Sequence, residues 1–576
     1  MSKEFQVSGT NKAALFSLNI YRGDGMALLG MDWKRSRPPK DFVGFAIEFK
    51  EPKGKKFKAI GNRLAFPGVD GSVNPKMLSS RLSPIQKFRW VHFPFNAELP
   101  GEFTYKVTPV FMDKKDKLSY GEPQEASIAL MRETHPGKLN VCFTRGFISS
   151  QAFVQRYEDG GGVKALLPAK SAMGLKFVPS HPKADEALAW MGFEARSAII
   201  ELLDQAIEDK TAQVRVVLYD LNEPGIVSRL EQLGDRLKVI IDDDGEHGKP
   251  HSAETMAAKR LVKTAGKANV KRQHMGKLQH NKVVVVDGNV KAAVCGSTNH
   301  SWRGFFVQNN NAIVLRGAKP VKLFNGAFQD YWDNDAVAGF GKGNSAKWND
   351  LGLKGIDAQI GFSPRAKSNA ALQAIADDIA TTKSSLFFSL AFLYQTKGAI
   401  QNAIKKLKKD DRIFCYGMSD HQVDGLEGET AGIDLQKPDG TVVVLHPEAL
   451  VKNVPQPFKS EPTGGGGTRM HHKFIVIDFD KPTARVYMGS YNFSVAADSS
   501  NGENLLLIKD RRVATSYMVE AIRLFDHYHF RIAQLEAKKK REKLQLKKPP
   551  RKDGEEPWWM KDYTDPRRII DRKLFA

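Results

Sequence analysis

Cysteine is scarce in this chain. Cys142, Cys295 and Cys415 are its only three, widely spaced and without a CxxC pair. A disulfide framework and a thiolate zinc site are excluded, and the usage suits a reducing compartment. Long apolar runs are missing too: none approaches the roughly 20 residues a transmembrane helix requires. Met1-Ser2-Lys3-Glu4-Phe5 opens the chain without the apolar stretch of a secretory signal. A cytoplasmic protein is expected, with signal-independent export left open. Acid is in deficit, Asp+Glu 65 against Lys+Arg 87, for a formal net charge of +22. That surplus favours a polyanionic partner, nucleic acid or an anionic membrane surface, without choosing between them. What is present is ordinary for a folded protein, 41% hydrophobic and 26% charged residues. A length of 576 residues exceeds one hydrophobic core and suggests three to four domains.

Residues 1–130 read as all-β. Short alternating segments such as Phe42-Val43-Gly44-Phe45-Ala46-Ile47 and Phe103-Thr104-Tyr105-Lys106-Val107 are separated by Gly, Pro and Lys turns. Their spacing predicts an immunoglobulin- or fibronectin-like sandwich. Residues 131–138 read as a linker. From residue 139 strands and helices alternate: a helical stripe at Ala195 to Ile207, a strand at Val214 to Tyr219, a helix near Gly225 to Leu233, a strand at Leu237 to Ile241. This α/β texture predicts a mainly parallel, covered sheet. The texture recurs, giving one lobe at 139–338 and another at 355–530. A Gly-, Asn- and Lys-rich joint lies between them, and a basic tail follows at 531–576.

The two lobes share an ordered set of polar residues. The first has His280-Asn281-Lys282, Asp287, Gly296-Ser297-Thr298-Asn299 and Asn310-Asn311. The second has His471-His472-Lys473, Asp478, Gly489-Ser490-Tyr491-Asn492 and Glu503-Asn504. On a strand the His and Lys of each HxK share a face, because side chains alternate. The Asp falls at the far end of the apolar run, too distant to share a reacting atom. A Gly-Ser turn followed by Asn sets a hydroxyl and an amide beside that face. If the lobes pack about a pseudo-twofold axis, the pocket suits a phosphodiester, with cations on its nonbridging oxygens and an imidazole on either side. One copy alone reads as a polar strand edge; two ordered copies are not an accident of composition.

These residues resemble the HKD motifs of the phospholipase D superfamily, over roughly residues 139–530. The resemblance implies a metal-independent phosphodiesterase, without cofactor, that hydrolyses or transfers a phosphatidyl or nucleotidyl group through a phosphohistidine. His280 and His471 are implied as nucleophile and acid/base. Lys282, Lys473, Asn299 and Asn492 are implied to bind phosphate, aided by Ser297 and Ser490. Asp287 and Asp478 complete the motifs, and their position predicts a structural role. Family members often place a carboxylate at the position of Glu503, hydrogen-bonded to the motif His of the same lobe; Asn310 departs from that pattern. On this pairing Glu503 would keep His471 protonated as general acid, leaving neutral His280 as nucleophile.

Other features carry less. His472 should point to the opposite face and pack. His274 and His300 have no metal-ligand spacing around them. Gly464 to Gly467 lacks the Gly-Lys-Ser/Thr ending of a phosphate loop and reads as a flexible loop or lid, and Gly160 to Gly162 reads as a turn. Trp558-Trp559 packs the tail or meets a membrane. A glycerophospholipid is the leading substrate, because two fused motifs with accessory regions fit lipid-active members. DNA or RNA is the alternative, and a catalytically silent binding protein the lesser one. With both half-sites in one chain, a monomer is expected.

Overall fold

The computed structural model describes residues 4–67, 78–130, 133–146, 153, 156–157, 159–367, 369–393, 398–419, 433–436, 442–445, 470–541 and 544–576; at 433–436, 442–445 and 528–540 it describes backbone alone. The N-terminal part is built of antiparallel layers. Gln6–Ser8, Phe16–Arg22, Ala27–Trp33 and Arg89–His92 form one sheet. Phe42–Lys50 and Glu102–Met112 centre a second, joined by Lys58–Ala59, Leu118–Tyr120 and Gln124–Ala129. Alternation along Glu102–Met112 sends Phe103, Tyr105 and Val107 into a core with Phe16, Leu18, Phe42 and Phe45.

The C-terminal residues do not trail away. Trp558 stacks on Phe88 with ring centroids 5.2 Å apart, and its Nε1 donates to the Phe42 carbonyl at 3.1 Å. Trp559 is buried in the same core. Of the two readings of these aromatics, packing of the tail against the body is the one the fold bears out: Trp559, buried, and Trp558, partly buried, lie on an apolar β face and are each stabilised by roughly 1–3 kcal/mol.

The chain beyond residue 138 builds two large mixed sheets. The first runs in the spatial order Leu139–Phe143, Asn311–Arg316, Lys291–Gly296, Lys282–Asp287, Gln213–Leu218, Leu237–Ile241, Val270–Arg272. The second contains, in the same relative order, Asp357–Ser363, Glu503–Lys509, Arg485–Gly489, Lys473–Ile477, Ser385–Leu390, Phe414–Ser419, with further strands at both edges. The expectation of mainly parallel sheets fails. Among the described strands of these sheets, parallel pairing is confined to Gln213–Leu218 with Leu237–Ile241, Leu237–Ile241 with Val270–Arg272, and Ser385–Leu390 with Phe414–Ser419. The reason is topological. Each HxK strand returns at once as a hairpin into the strand that ends in Gly-Ser, and a short connection forces antiparallel pairing.

The segment between the lobes also differs from a free joint. Val337–Gly341 is helical, with Phe340 stacked 4.1 Å from Tyr331, and Asn349–Asp350 pairs onto the edge of the second sheet. One core joins the two sheets: Val283, Val285 and Ile313 pack with Phe474, Val476 and Leu506, beneath Val513 and Tyr517 of the helix Arg511–Lys540. Alternate residues Val284 and Val286, and Ile475 and Ile477, face separate outer cores. Among the described residues no helix is long and apolar enough to cross a membrane.

Candidate active site

Lys282 opens its strand opposite Leu218, and Lys473 opens its strand opposite Leu390. Two residues upstream of each lysine, the motif histidines meet. The rings of His280 and His471 lie 6.3 Å apart, inclined at 71°, and both are buried. Matched backbone contacts hold the halves at that point: Gln279 bridges Gly502, and Met470 bridges Asn309, with His471 N donating to the Asn309 carbonyl at 3.1 Å. Behind them Asn504 Nδ2 donates to Asn281 Oδ1 at 2.8 Å.

The glycine of each Gly-Ser turn is required by close approach. Gly296 and Gly489 hold φ of +142° and +149°. A Cβ there would fall 2.5 Å from the Asn311 carbonyl oxygen and 2.3 Å from that of Asn504. The serine hydroxyls brace the neighbouring strand. Ser297 Oγ accepts from Asn311 N at 3.0 Å and donates its one proton to Asn310 Oδ1 at 2.9 Å. Ser490 Oγ accepts from N and Nδ2 of Asn504 at 3.0 and 3.2 Å. Asn299 and Asn492 differ: each has a buried side-chain oxygen without a hydrogen-bond partner.

The carboxylate pairing is crossed, not within one lobe. Glu503 Oε2 lies 3.3 Å from Nδ1 of His280, in an orientation that makes an ion-pair contact but no aligned hydrogen bond. His471 instead sets Nδ1 2.8 Å from Asn310 Oδ1 and 3.2 Å from the Ser297 carbonyl. The expected Glu503–His471 pair is thus replaced by Glu503–His280. The physical reason is that each polar pair opens a strand at the seam, where the nearer imidazole belongs to the other sheet. Both partners of His471 Nδ1 are acceptors, so that nitrogen carries the proton and Nε2 presents its lone pair.

Electrostatics follow from burial. Desolvation, then Lys282 and Lys473, push His280 well below the usual imidazole range. Desolvation and the same two lysines do so for His471. Burial lifts Glu503 to about 7 and lowers Lys282 to about 7. Lys282 Nζ donates to the His280 carbonyl at 2.5 Å, and Lys473 Nζ to that of His471 at 2.9 Å. Both ammoniums are buried beside the imidazoles.

Asp287 and Asp478 stay outside this cluster, at the far ends of their motifs. Asp287 is half-exposed and ion-paired with Lys291. Asp478 is buried and accepts hydrogen bonds from the backbone of Lys383 and Ser384 and from Ser384 Oγ. His472 shares the face of Phe474 and is buried, with Nε2 2.9 Å from Glu520. His274 is exposed and pairs with Asp243; His300 is buried. Gly160 and Gly161 hold positive φ in a turn before a short helix, while Gly464 to Gly467 lie outside the described residues.

The sequence reading missed Tyr219, Asp220, Asp242 and His247. Tyr219 lies between the rings of His280, 4.8 Å away, and His247, 4.5 Å away. His247 is held by Asp220 at 3.2 Å and Asp242 at 2.8 Å. Burial alone would lower it, but those hydrogen bonds lift it to about 11. The available signal was strand pairing, since Tyr219 follows the strand laid against Lys282. Asp220, His247 and Glu254 bring potential metal-ligand atoms within 4.8 Å of one another. Each ring nitrogen of His247 already faces a carboxylate, Nε2 that of Asp220 and Nδ1 that of Asp242, which makes the cluster a charged hydrogen-bond network rather than an open ligand set.

Comparison with known proteins agrees with the motifs. Residues 196–332 and 444–525 match the family described as "Cardiolipin synthase, PLD-like domain". A phospholipase D of Rickettsia prowazekii is 50% identical over 48 residues, 8% of this chain and 22% of the relative. A mitochondrial cardiolipin hydrolase of Xenopus tropicalis is 41% identical over 59 residues, 10% of this chain and 26% of the relative. The chain therefore spans about a quarter or less of these relatives' length. The structure of a phosphatidylserine synthase from Haemophilus influenzae is 13% identical, with a TM-score of 0.38, covering 61% of this chain and 94% of that one. Residues 196–332 and 444–525 thus carry a PLD-like domain, similar to that of phospholipase D superfamily proteins.

Proposed function

We propose that this protein is a metal-independent phosphodiesterase of the phospholipase D type, acting on a glycerophospholipid. The observation that carries the reading is the approach of His280 and His471 to 6.3 Å. A phosphorus atom held between the rings needs about 3 Å to the attacking imidazole nitrogen, and its leaving oxygen about 3 Å to the imidazole nitrogen that donates the proton. In this reading residues 139–338 and 355–530 each supply a half-site about an approximate twofold. The equal strand order and matched seam contacts support it.

His471, neutral with its Nδ1 proton on Asn310, attacks phosphorus through Nε2. His280, opposite Glu503, protonates the leaving alcohol oxygen as the P–O bond breaks. His280 then takes a proton from water or an acceptor alcohol, whose oxygen displaces His471 from phosphorus. Burial, with the charges of Lys282 and Lys473, disfavours the imidazolium of His280, and a bound phosphodiester anion offsets the lysines' share. Lys282, Lys473, Asn299 and Asn492 hold the nonbridging oxygens. Asp287 and Asp478 hold strands rather than substrate.

The net charge of +22 gives a nuclease reading its support. One assay separates the readings. Protein in EDTA is incubated with phosphatidylcholine, phosphatidylglycerol, and single- and double-stranded DNA, beside His280→Asn and His471→Asn. Released headgroup with intact DNA is expected. Cut DNA with intact lipid would establish the nuclease, and neither product from the native protein would sink the enzymatic reading.

A further inference from the structure

The seam between the N-terminal β layers and the first large sheet holds a cavity of about 500 Å³. A second of about 440 Å³ adjoins it, and Phe95, Arg145 and Trp190 line both. Arg145 dominates the junction. Its side chain is 4% exposed, its Nε has no hydrogen-bond partner, and its guanidinium carbon lies 4.0 Å from the Phe93 ring centroid and 4.9 Å from that of Trp190. Phe193, at φ +42° inside the helix Ala184–Glu208, adds a third ring at 4.3 Å. Arg156 covers Phe95 at 3.9 Å, and its Nη1 likewise has no partner.

Among the described residues no carboxylate is ion-paired with Arg145 or Arg156, although Glu98, Glu186 and Glu201 line the second cavity and Asp526, paired with Lys87 and Arg89, lines the first. Burial lowers Arg145 to about 9, helped by Arg523 and Arg156, so it stays charged at neutral pH. Arg523 is matched by Glu520 at 2.5 and 2.7 Å. Glu194 lines the second cavity, but burial and Asp24 push its carboxyl well above the usual range. That shift makes Glu194 a poor counter-charge for Arg145. A buried charge without a counter-charge is costly, and an anionic ligand would remove that cost.

The walls decide what body the anion carries. Two of the three amides in the first cavity's wall are already engaged: Asn62 Nδ2 donates to the Ser83 and Pro84 carbonyls, and Gln86 Nε2 to those of Val43 and Lys547, while Gln545 is exposed. That leaves little to read the edge of a base. Guanidiniums lie over Phe93, Phe95 and Trp190, so Trp90 is the one aromatic ring of the first cavity's wall among the described tryptophans and phenylalanines without a cation on it. Leu64, Val91 and Leu546 supply the remaining apolar wall.

We propose that this cavity binds a single-chain amphiphilic anion, with a phosphate or carboxylate head on Arg145 and Arg156 and an alkyl chain along the apolar wall. The site is separate from the histidine cleft and independent of the reaction proposed there. It is also adjacent to it: Thr144 N donates to the Asn310 carbonyl, and Asn310 N to Thr144 Oγ1, each at 2.9 Å.

The full chain is titrated with dodecyl phosphate and with laurate, each below its micelle concentration, and with AMP as the aromatic counter-probe. Tryptophan emission and calorimetry follow binding. Saturable binding at one site per chain is expected for at least one amphiphile, and the tighter one identifies the head group. Arg145→Gln should weaken it about tenfold or more. Arg156→Gln, at a less buried position, serves if the first variant fails to fold. No saturable binding of either amphiphile, AMP binding as tightly as both, or native affinity in every folded variant would each overturn the proposal.

Discussion

The Glu503 carboxylate lies 3.3 Å from Nδ1 of His280, on the other sheet from the strand that Glu503 opens. Asn310 stands in the matching place on His471. Each of these contacts therefore runs from one sheet to the histidine of the other, and in the proposed mechanism neither sheet carries a complete site. An amide on one side and a carboxylate on the other gives the two rings different tasks.

Trapping the covalent intermediate tests those tasks. His471→Asn should abolish the adduct with every substrate. His280→Asn should lose about 10²–10⁴-fold on an alkyl phosphodiester, yet still label His471 with an aryl diester, whose leaving group needs no proton. An adduct mapped to His280 would reverse the assignment.

Glu503→Gln tests the carboxylate. Glu503 ionises only as pH rises through about 7, and its charge is what stabilises an imidazolium on His280. Native kcat should climb through that pH; the variant should be lower by about 10–100-fold and lack the climb. Stability moves the other way. A carboxyl with a raised folded pKa stabilises the fold below its unfolded value and loses that contribution as pH rises to about 7, by up to about 3 kcal/mol. Chemical melts at pH 5 and pH 8 should show the native protein losing ground to the variant.

His247 has the opposite sign. Its pKa, raised to about 11, makes its contribution full below about pH 6.5 and lost as pH rises through about 11. His247→Asn should cost about 3 kcal/mol at pH 6, because it leaves Asp242 buried without its cation. The gap should close toward pH 11. A gap that is constant with pH would mean the pair is not ionic.

The two motif aspartates should separate cleanly. Asp478→Asn keeps the shape but turns an NH2 donor toward backbone N–H donors, and should cost about 2–4 kcal/mol in urea unfolding. Asp287→Asn removes only a half-exposed ion pair and should cost less than about 1 kcal/mol. Neither should raise KM for the diester.

Trp559→Ala should destabilise by about 3–5 kcal/mol through the cavity it leaves among Trp33, Phe45 and Tyr563. Vesicle binding of the folded variant should match the native protein. Weakened vesicle binding at unchanged stability would return the indole to the membrane.

Much of this was legible before any coordinates. Alternation marked the β layers, and the repeated HxK with its Gly-Ser turn marked both strands that carry the histidines, because side-chain direction on a strand is fixed by parity alone. The lysines, the turn asparagines and the outlying aspartates follow from that same local rule. The parallel sheet was misread because βαβ texture is local, while the hairpin after each motif sets the pairing of the strands that matter. Tyr219 and the Asp220–His247–Asp242 network were invisible because their approach to His280 depends on which strands lie side by side.

The chain by itself determined that two imidazole–ammonium pairs would exist, each on a buried strand. Only the packing of one sheet on the other decided which imidazole received the carboxylate. Spacing along a strand is a property of covalent geometry, whereas contact across a seam is set by how two separate faces bury their apolar residues.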